Sequence, residues 1–134
     1  MLRTVKTKSM HLLGLSGLFT LCLTGVAWSA DQMTDEARAK SVSRSITSMK
    51  KTLSLALERL SQARKGQDEI QLNCVNEKLS AINGLVKISQ TASSSLKEAI
   101  AKRDDELKQH EYSKVILAGK WVEELRLEVE GCVG

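Results

Sequence analysis

Proline is absent from this sequence of 134 residues, and glycine and aromatic residues are few. Proline and glycine are the residues that most often break helices, whereas strands are marked by β-branched residues alternating with polar ones. Beyond residue 30 the chain has almost none of that alternation. A chain of this length holds at most one ordinary domain. The sequence therefore predicts a single all-α domain.

Residues 1–29 form a segment unlike the rest of the chain. The segment opens with three basic residues and no acidic one, continues with an apolar run over residues 12–27, and closes on small residues. This is the three-part architecture of a secretory signal peptide. The apolar run is shorter than the roughly 20 residues that cross a bilayer, which favours a cleaved signal over a retained membrane anchor.

We therefore expect cleavage within residues 27–30 and a mature domain over residues 30–134, periplasmic or secreted and without a stable membrane span. Cleavage also changes the charge of the protein. The whole chain has 20 basic and 16 acidic residues, and three of the basic ones lie in the signal, which leaves 17 basic against 16 acidic. A nearly neutral domain without a basic patch and interleaved aromatics argues against nucleic-acid binding.

Two cysteines, Cys74 and Cys132, belong to the predicted mature domain, because Cys22 lies in the signal. Two cysteines in a small exported domain indicate one disulfide. In the loop-entropy picture that bond would stabilise the fold by roughly 4 kcal/mol. The alternative is a pair of buried free thiols.

Capping residues and apolar periodicity divide the mature domain into three helices, over about 34–65, 68–102 and 111–130. Thr34 and Asp68 are suited to cap the first two helices at their N-termini. Gly66 is suited to the left-handed residue after the first helix. The polar stretch 103–110 is predicted to be the turn before the third helix.

Apolar or small residues recur at steps of three and four in the first and third helices, a period of 3.5 typical of helices that pack along their length. These seams are Ala39, Val42, Ile46, Met49, Leu53, Ala56, Leu60 and Ala63 in the first helix, and Val115, Ala118, Val122, Leu125, Val129 and Cys132 in the third.

The middle helix carries two such stripes, as expected of a helix that touches two neighbours. The first stripe is Leu72, Val75, Leu79, Ile82, Val86, Ser89, Ser93, Leu96 and Ile100, and the second is Cys74, Lys78, Ala81, Leu85, Ile88, Ala92, Ser95 and Ala99. The prediction is an antiparallel three-helix bundle, or long helical hairpin, with coiled-coil-like seams. The midpoint of the two cysteines falls about three residues before the centre of the predicted turn, an offset that a frayed end absorbs. We expect the second stripe to face the third helix and the first stripe to face the first helix.

Groups able to perform catalysis are scarce in the mature domain. Its one histidine, His110, lies in the predicted turn, and the serines at 93–95 have no histidine near them to activate a hydroxyl. A zinc site built from His110, Cys74 and Cys132 is excluded, because a long helix separates the histidine from the cysteines by roughly 30 Å. The acidic clusters lack the pattern of a calcium loop. We expect no enzyme activity, no metal and no cofactor.

Leu117 and Trp121 lie one helical turn apart, beside the seam of the third helix rather than on it. An apolar pair in that position either covers the edge of the bundle or contacts a partner or a second copy of the chain. The pair is the one feature of the sequence that points toward a function.

Three short strings carry a resemblance to known proteins: LNCVNEKL at 72–79, HEY at 110–112 and GCVG at 131–134. Over residues 68–134 the chain resembles a group of short exported bacterial proteins with a signal peptide, two cysteines and long helices. That group has no assigned activity. The resemblance supports a disulfide between the two cysteines and implies no function.

The export signal, the long seams and the lack of catalytic groups together predict an exported interaction or scaffold protein of the bacterial envelope, with a protein partner or self-association. The alternative is a periplasmic holdase-type chaperone that grips exported clients between helical arms, which would require exposed apolar surface. A small-ligand or metal sensor would need a polar cavity in the core, and the seams supply only Lys78 and a few serines. An enzyme would require a partner chain to complete its site.

Overall fold

The computed structural model describes residues Met33–Gly134, and within that range every regular element is a helix. The helices are α1 (Asp35–Gly66), α2 (Glu69–Lys102) and α3 (Asp105–Gly131). Each helix packs against both others, which confirms the all-α three-helix bundle. Because each connection is two residues long, α2 runs antiparallel to α1 and α3. The predicted signal peptide lies outside the described residues.

Both turns of the bundle have the same construction, a left-handed residue followed by an aspartate. Gln67 has φ 53° and Arg103 has φ 57°. The next residue, Asp68 or Asp104, donates its backbone N–H to a carbonyl of the helix that ends. Its carboxylate accepts a hydrogen bond from an N–H in the first turn of the helix that begins. One residue thus satisfies polar groups of two helix ends.

The N-caps predicted at Thr34 and Asp68 are confirmed, because both side chains accept from an N–H three residues later. The left-handed residue predicted at Gly66 is wrong. Gly66 is the last residue of α1, and Gln67 adopts the left-handed conformation instead. The reason is the position of Asp68, which must directly follow the left-handed residue to cap α2.

The predicted turn over 103–110 and the predicted start of the third helix near Glu111 are also wrong. Helix α3 begins at Asp105, and Asp104 caps it by accepting from the N–H of Leu107 at 3.0 Å. The polar residues after Asp105 form the first turns of a helix with one face in solvent. With the turn at Arg103, the two cysteines are equally distant from it in sequence, and the predicted offset of about three residues disappears.

The core follows the predicted seams. Its buried apolar residues are Val42, Met49, Ala56, Leu60 and Ala63 of α1, Val75, Ile82, Val86, Ala92, Leu96 and Ala99 of α2, and Val115, Ala118, Val122, Val129 and Cys132 from α3 to the residue after it. Ser89, on the first stripe of α2, donates its hydroxyl hydrogen to the sulfur of Met49 at 3.6 Å. This contact confirms that the first stripe faces α1.

The α1 and α3 helices approach each other closely at Gly119. A Cβ atom at that position would lie 2.6 Å from the hydroxyl oxygen of Ser45, nearer than real Cβ contacts. The absence of a side chain at Gly119 therefore leaves room for the hydroxyl group of Ser45.

The disulfide between Cys74 and Cys132 is present, with Cα atoms 5.9 Å apart. It joins the beginning of α2 to the residue that follows α3. The side-chain amide of Gln71 donates to the carbonyl oxygen of Cys132 at 3.0 Å, which holds the same end in place. The predicted disulfide is confirmed, and it closes the open end of the α2–α3 hairpin.

Removal of this disulfide is expected to destabilise the bundle by roughly 4 kcal/mol, because it closes a loop of 58 residues in the unfolded chain. For a domain of this size that corresponds to a fall in melting temperature of roughly 15 to 25 °C. Urea unfolding of the Cys74→Ser/Cys132→Ser variant measures this loss in the free energy of unfolding. Wild-type protein kept reduced with its thiols blocked is the control, and an unchanged unfolding midpoint in either sample would contradict the expectation.

The position of the second turn is tested by two glycine substitutions on either side of the end of α2. Arg103→Gly is expected to stabilise the fold by up to about 1 kcal/mol, because glycine adopts the left-handed conformation without a steric cost. Ala101→Gly, inside the helix, is expected to cost about 1 kcal/mol. If the turn lay further along the chain, both variants would lose stability in the same urea titration.

Candidate interaction surface on α2 and α3

The register of the α2–α3 hairpin decides which side chains meet along its outer edge. Lys78 follows Cys74 by four residues, and Glu128 precedes Cys132 by four. The ammonium of Lys78 lies 2.8 Å from a carboxylate oxygen of Glu128. Seven residues further along each helix are Leu85 and Trp121. Since seven residues make nearly two full turns, Leu85 and Trp121 occupy the same sides of their helices as the ion pair does.

Around this position the surface is apolar. Ile88 is 54% exposed, Leu117 47% and Trp121 48%, while Leu85 is half-buried and packs against the core. Ile88 follows Leu85 by three residues, and Leu117 precedes Trp121 by four, so all four lie within about one turn of the same level. We call these four residues the Trp121 patch. The sequence left open whether Leu117 and Trp121 cover the edge of the bundle or contact a partner, and the structure places both about half exposed to solvent.

The prediction of the second stripe of α2 is partly wrong. Ala92 and Ala99 are buried, whereas Ala81 and Ile88 are exposed. Those two lie at the margin of the side that faces α3, where no third neighbour within Met33–Gly134 covers them. Sequence reasoning missed Ile88 as a surface residue because an isoleucine at core spacing looks the same whether or not a neighbour reaches it.

Charged residues border the patch at both ends. Toward the disulfide, the hydrogen bond and charge of Glu128 raise the pKa of Lys78 above its ordinary value. Toward the turn, Lys114 lies 2.8 Å from Glu111, which is buried. Glu124 is exposed beside Trp121. An apolar centre with a charged rim is the usual anatomy of a protein contact surface.

His110 lies exposed on α3, away from the disulfide, and the two cysteines bond to each other rather than to a metal. Within residues 33–134 no three histidine, cysteine or acidic side chains come together as metal ligands would. None of the three helices there has the length and apolar character needed to cross a membrane.

A shallow groove of about 320 Å³ lies between α1 and α3, on the side of α3 away from the Trp121 patch. It is lined by Ser45, Ser48, Met49, Thr52, Ile116, Gly119, Lys120, Val122 and Glu123. The groove is open to solvent, and its two charged groups, Lys120 and Glu123, are exposed. It lacks the converging buried polar groups that fix a small ligand.

A cluster of charged side chains joins the first turn of α1 to α3 at the opposite end from the disulfide. The ammonium of Lys108 is buried and lies 2.6 Å from Asp105 and 3.2 Å from Asp35. The guanidinium of Arg38 lies 5.7 Å from the ring centre of Tyr112. The hydrogen bonds to Asp105 and Asp35 raise the pKa of Lys108, and the one from Lys108 lowers the pKa of Asp105. This cluster links α1 to α3 at the end of the bundle opposite the disulfide.

The lowered pKa of Asp105 makes part of the stability acid-sensitive. Its carboxylate stabilises the fold above the ordinary pKa of 3.8, and this contribution is lost as the pH falls through the lower pKa of the folded state. When the pH is lowered from 6 to about 2, we expect the melting temperature of the Lys108→Met variant to fall less than that of the wild type. Circular dichroism melts measure the loss. Lys65→Met, at an exposed lysine, is the control, and equal acid losses in all three proteins would contradict the expectation.

Comparison of the chain with known protein families, with curated proteins and with solved structures finds no match. The resemblance to small exported helical proteins therefore remains a prediction.

Proposed function

We propose that this protein is an exported interaction or scaffold protein of the bacterial envelope that acts by binding through the Trp121 patch rather than by catalysis. The observation that carries the proposal is the patch itself, three exposed apolar side chains grouped around half-buried Leu85. Scattered exposed apolar residues are ordinary, but a contiguous group on one surface is typical of a contact site. Export is proposed from the pattern of residues 1–29 together with the disulfide.

The rigid helices that carry the patch favour binding to a specific partner. Its residues lie on two long helices whose ends are joined by the Arg103–Asp104 turn and by the disulfide. Leu85 packs against the core, so the floor of the patch is part of the packed interior. A surface built on rigid helices loses little conformational entropy on binding.

The holdase-type chaperone is the second candidate, favoured by exposed apolar residues outside the patch. Leu57 on α1, Ile70 on α2 and Leu127 on α3 are each at least half exposed. They lie on three different helices. A chaperone that grips many clients needs a broad and adaptable apolar surface, and within residues 33–134 only the Trp121 patch groups several exposed apolar residues on one pair of helices.

The test is photo-cross-linking in intact bacteria with p-benzoylphenylalanine in place of Trp121. The matched control carries the same group in place of Leu57, which is 50% exposed on α1 and lies outside the patch. We expect the group at position 121 to capture one dominant protein, and the group at position 57 to capture little. The cross-linked products are identified by mass spectrometry, which also reads the N-terminal residue of the mature chain.

A broad and shifting set of exported proteins captured at position 121 would replace the scaffold proposal by the chaperone. Equal capture at the two positions, or none at position 121, would contradict binding through the patch. An N-terminus at Met1 would contradict cleavage of the signal.

A further inference from the structure

The exposed side of α3 carries a second periodic stripe beside the buried seam. Its residues follow one another at steps of four and three, the spacing of a helix that packs along another helix, and all are exposed. They are His110, Lys114, Leu117, Trp121, Glu124 and Glu128.

The stripe on α3 has the same spacing when it is read in the opposite direction. Leu117 and Trp121 exchange places, Lys114 takes the place of Glu124, and His110 takes the place of Glu128. The basic group at one end therefore corresponds to an acidic group at the other. Two copies of the stripe placed antiparallel would bring lysine opposite glutamate twice and apolar side chains together in the middle.

The exposed side of α2 carries a stripe next to the one on α3, and the centres of the two stripes lie at the same level along the hairpin. Its middle residue is Ile88, flanked by the small residues Ala81 and Gly84 on one side and Thr91 and Ser95 on the other. A Cβ atom placed on Gly84 would meet nothing within 4 Å, so this position is an open hollow. Small residues on both sides of a large one let two such helices approach closely.

We propose that the Trp121 patch binds the same patch of a second copy, with the two hairpins antiparallel about a two-fold axis that passes beside Ile88. The inference rests on the proposed function and names the occupant of its surface. Lys114 of each copy lies opposite Glu124 of the other, and Leu117 lies opposite Trp121.

The charges at the rim are free to take part. Within Met33–Gly134, Glu124 forms no ion pair, and the side chain of Lys114 is 43% exposed although it contacts Glu111. The stripe spans about 27 Å along α3, and two helices make a face about 18 Å wide. The buried area would be roughly 1,000 Å² for the pair, near the lower limit of specific interfaces. The dimer is therefore expected to be weak and concentration-dependent.

Sedimentation equilibrium of the mature chain over a range of concentrations tests the proposal. Wild type is expected to form a dimer, and Glu124→Lys, which turns both attractive contacts into repulsions, is expected to raise the dissociation constant at least about tenfold. Glu58→Lys makes the same change of charge on α1 and is expected to leave the constant within about twofold of wild type. Circular dichroism confirms that each variant is folded.

The geometry is tested separately by cross-linking through a new cysteine. Ile88→Cys is expected to give a disulfide-linked dimer under mild oxidation, because the axis brings the two copies of this residue together. Leu57→Cys, at a half-exposed position on α1 away from the patch, is expected to give no disulfide-linked dimer. A wild-type chain that is monomeric at all concentrations would overturn the proposal, and so would equal cross-linking of the two cysteine variants.

The two proposals fail in different ways. If the chain is monomeric but the cross-linker at position 121 captures another protein, the second copy is the wrong occupant and the interaction surface stands. If the cross-linker at position 121 captures neither the chain itself nor another protein, both proposals are contradicted.

Discussion

The register of α2 against α3 determines which side chains lie at the same level along the hairpin. The turn at Arg103–Asp104 sets it at one end, and the disulfide between Cys74 and Cys132 sets it at the other. Because both cysteines are equally distant from Arg103, the bond closes without a shift of either helix. The ion pair of Lys78 with Glu128 follows from this register, which also places Leu85 and Trp121 at the same level along the hairpin.

Because α1 packs on one side only, the two sides of the α2–α3 hairpin differ. Helix α1 covers the side formed by the first stripe of α2, as the contact between Ser89 and Met49 shows, and it packs against α3 beside Gly119. Nothing in residues 33–134 covers the opposite side, so the apolar residues there remain in solvent. The proposed interaction surface is therefore a consequence of how three helices divide the faces of a hairpin among themselves. Covering that side with α2 and α3 of a second copy would complete a four-helix arrangement.

Much of this fold could be predicted from the sequence, because apolar spacing and capping residues report directly on packing and on helix ends. The seams of α1 and α3, the N-cap at Asp68 and the disulfide follow from such local signals. The turn could not be placed, because a polar run such as that after Arg103 reads the same in a loop and in the exposed first turns of a helix. Nor could the sequence show that Ile88 is exposed, since exposure depends on which neighbour reaches it. Leu117 and Trp121 were identifiable because they stand beside the seam, but the patch needed the register to gain Leu85 and Ile88.

We propose the outer side of the α2–α3 hairpin as the contact surface of the protein. A residue-resolved NMR spectrum of the mature chain, recorded at low and at high protein concentration, tests this proposal. Backbone amide signals from Ala81 to Ser95 and from Lys114 to Glu124 are expected to shift with concentration, while those around Leu57 on α1 are not. Shifts grouped on α1, or a spectrum that stays unchanged even after addition of an envelope extract, would contradict it.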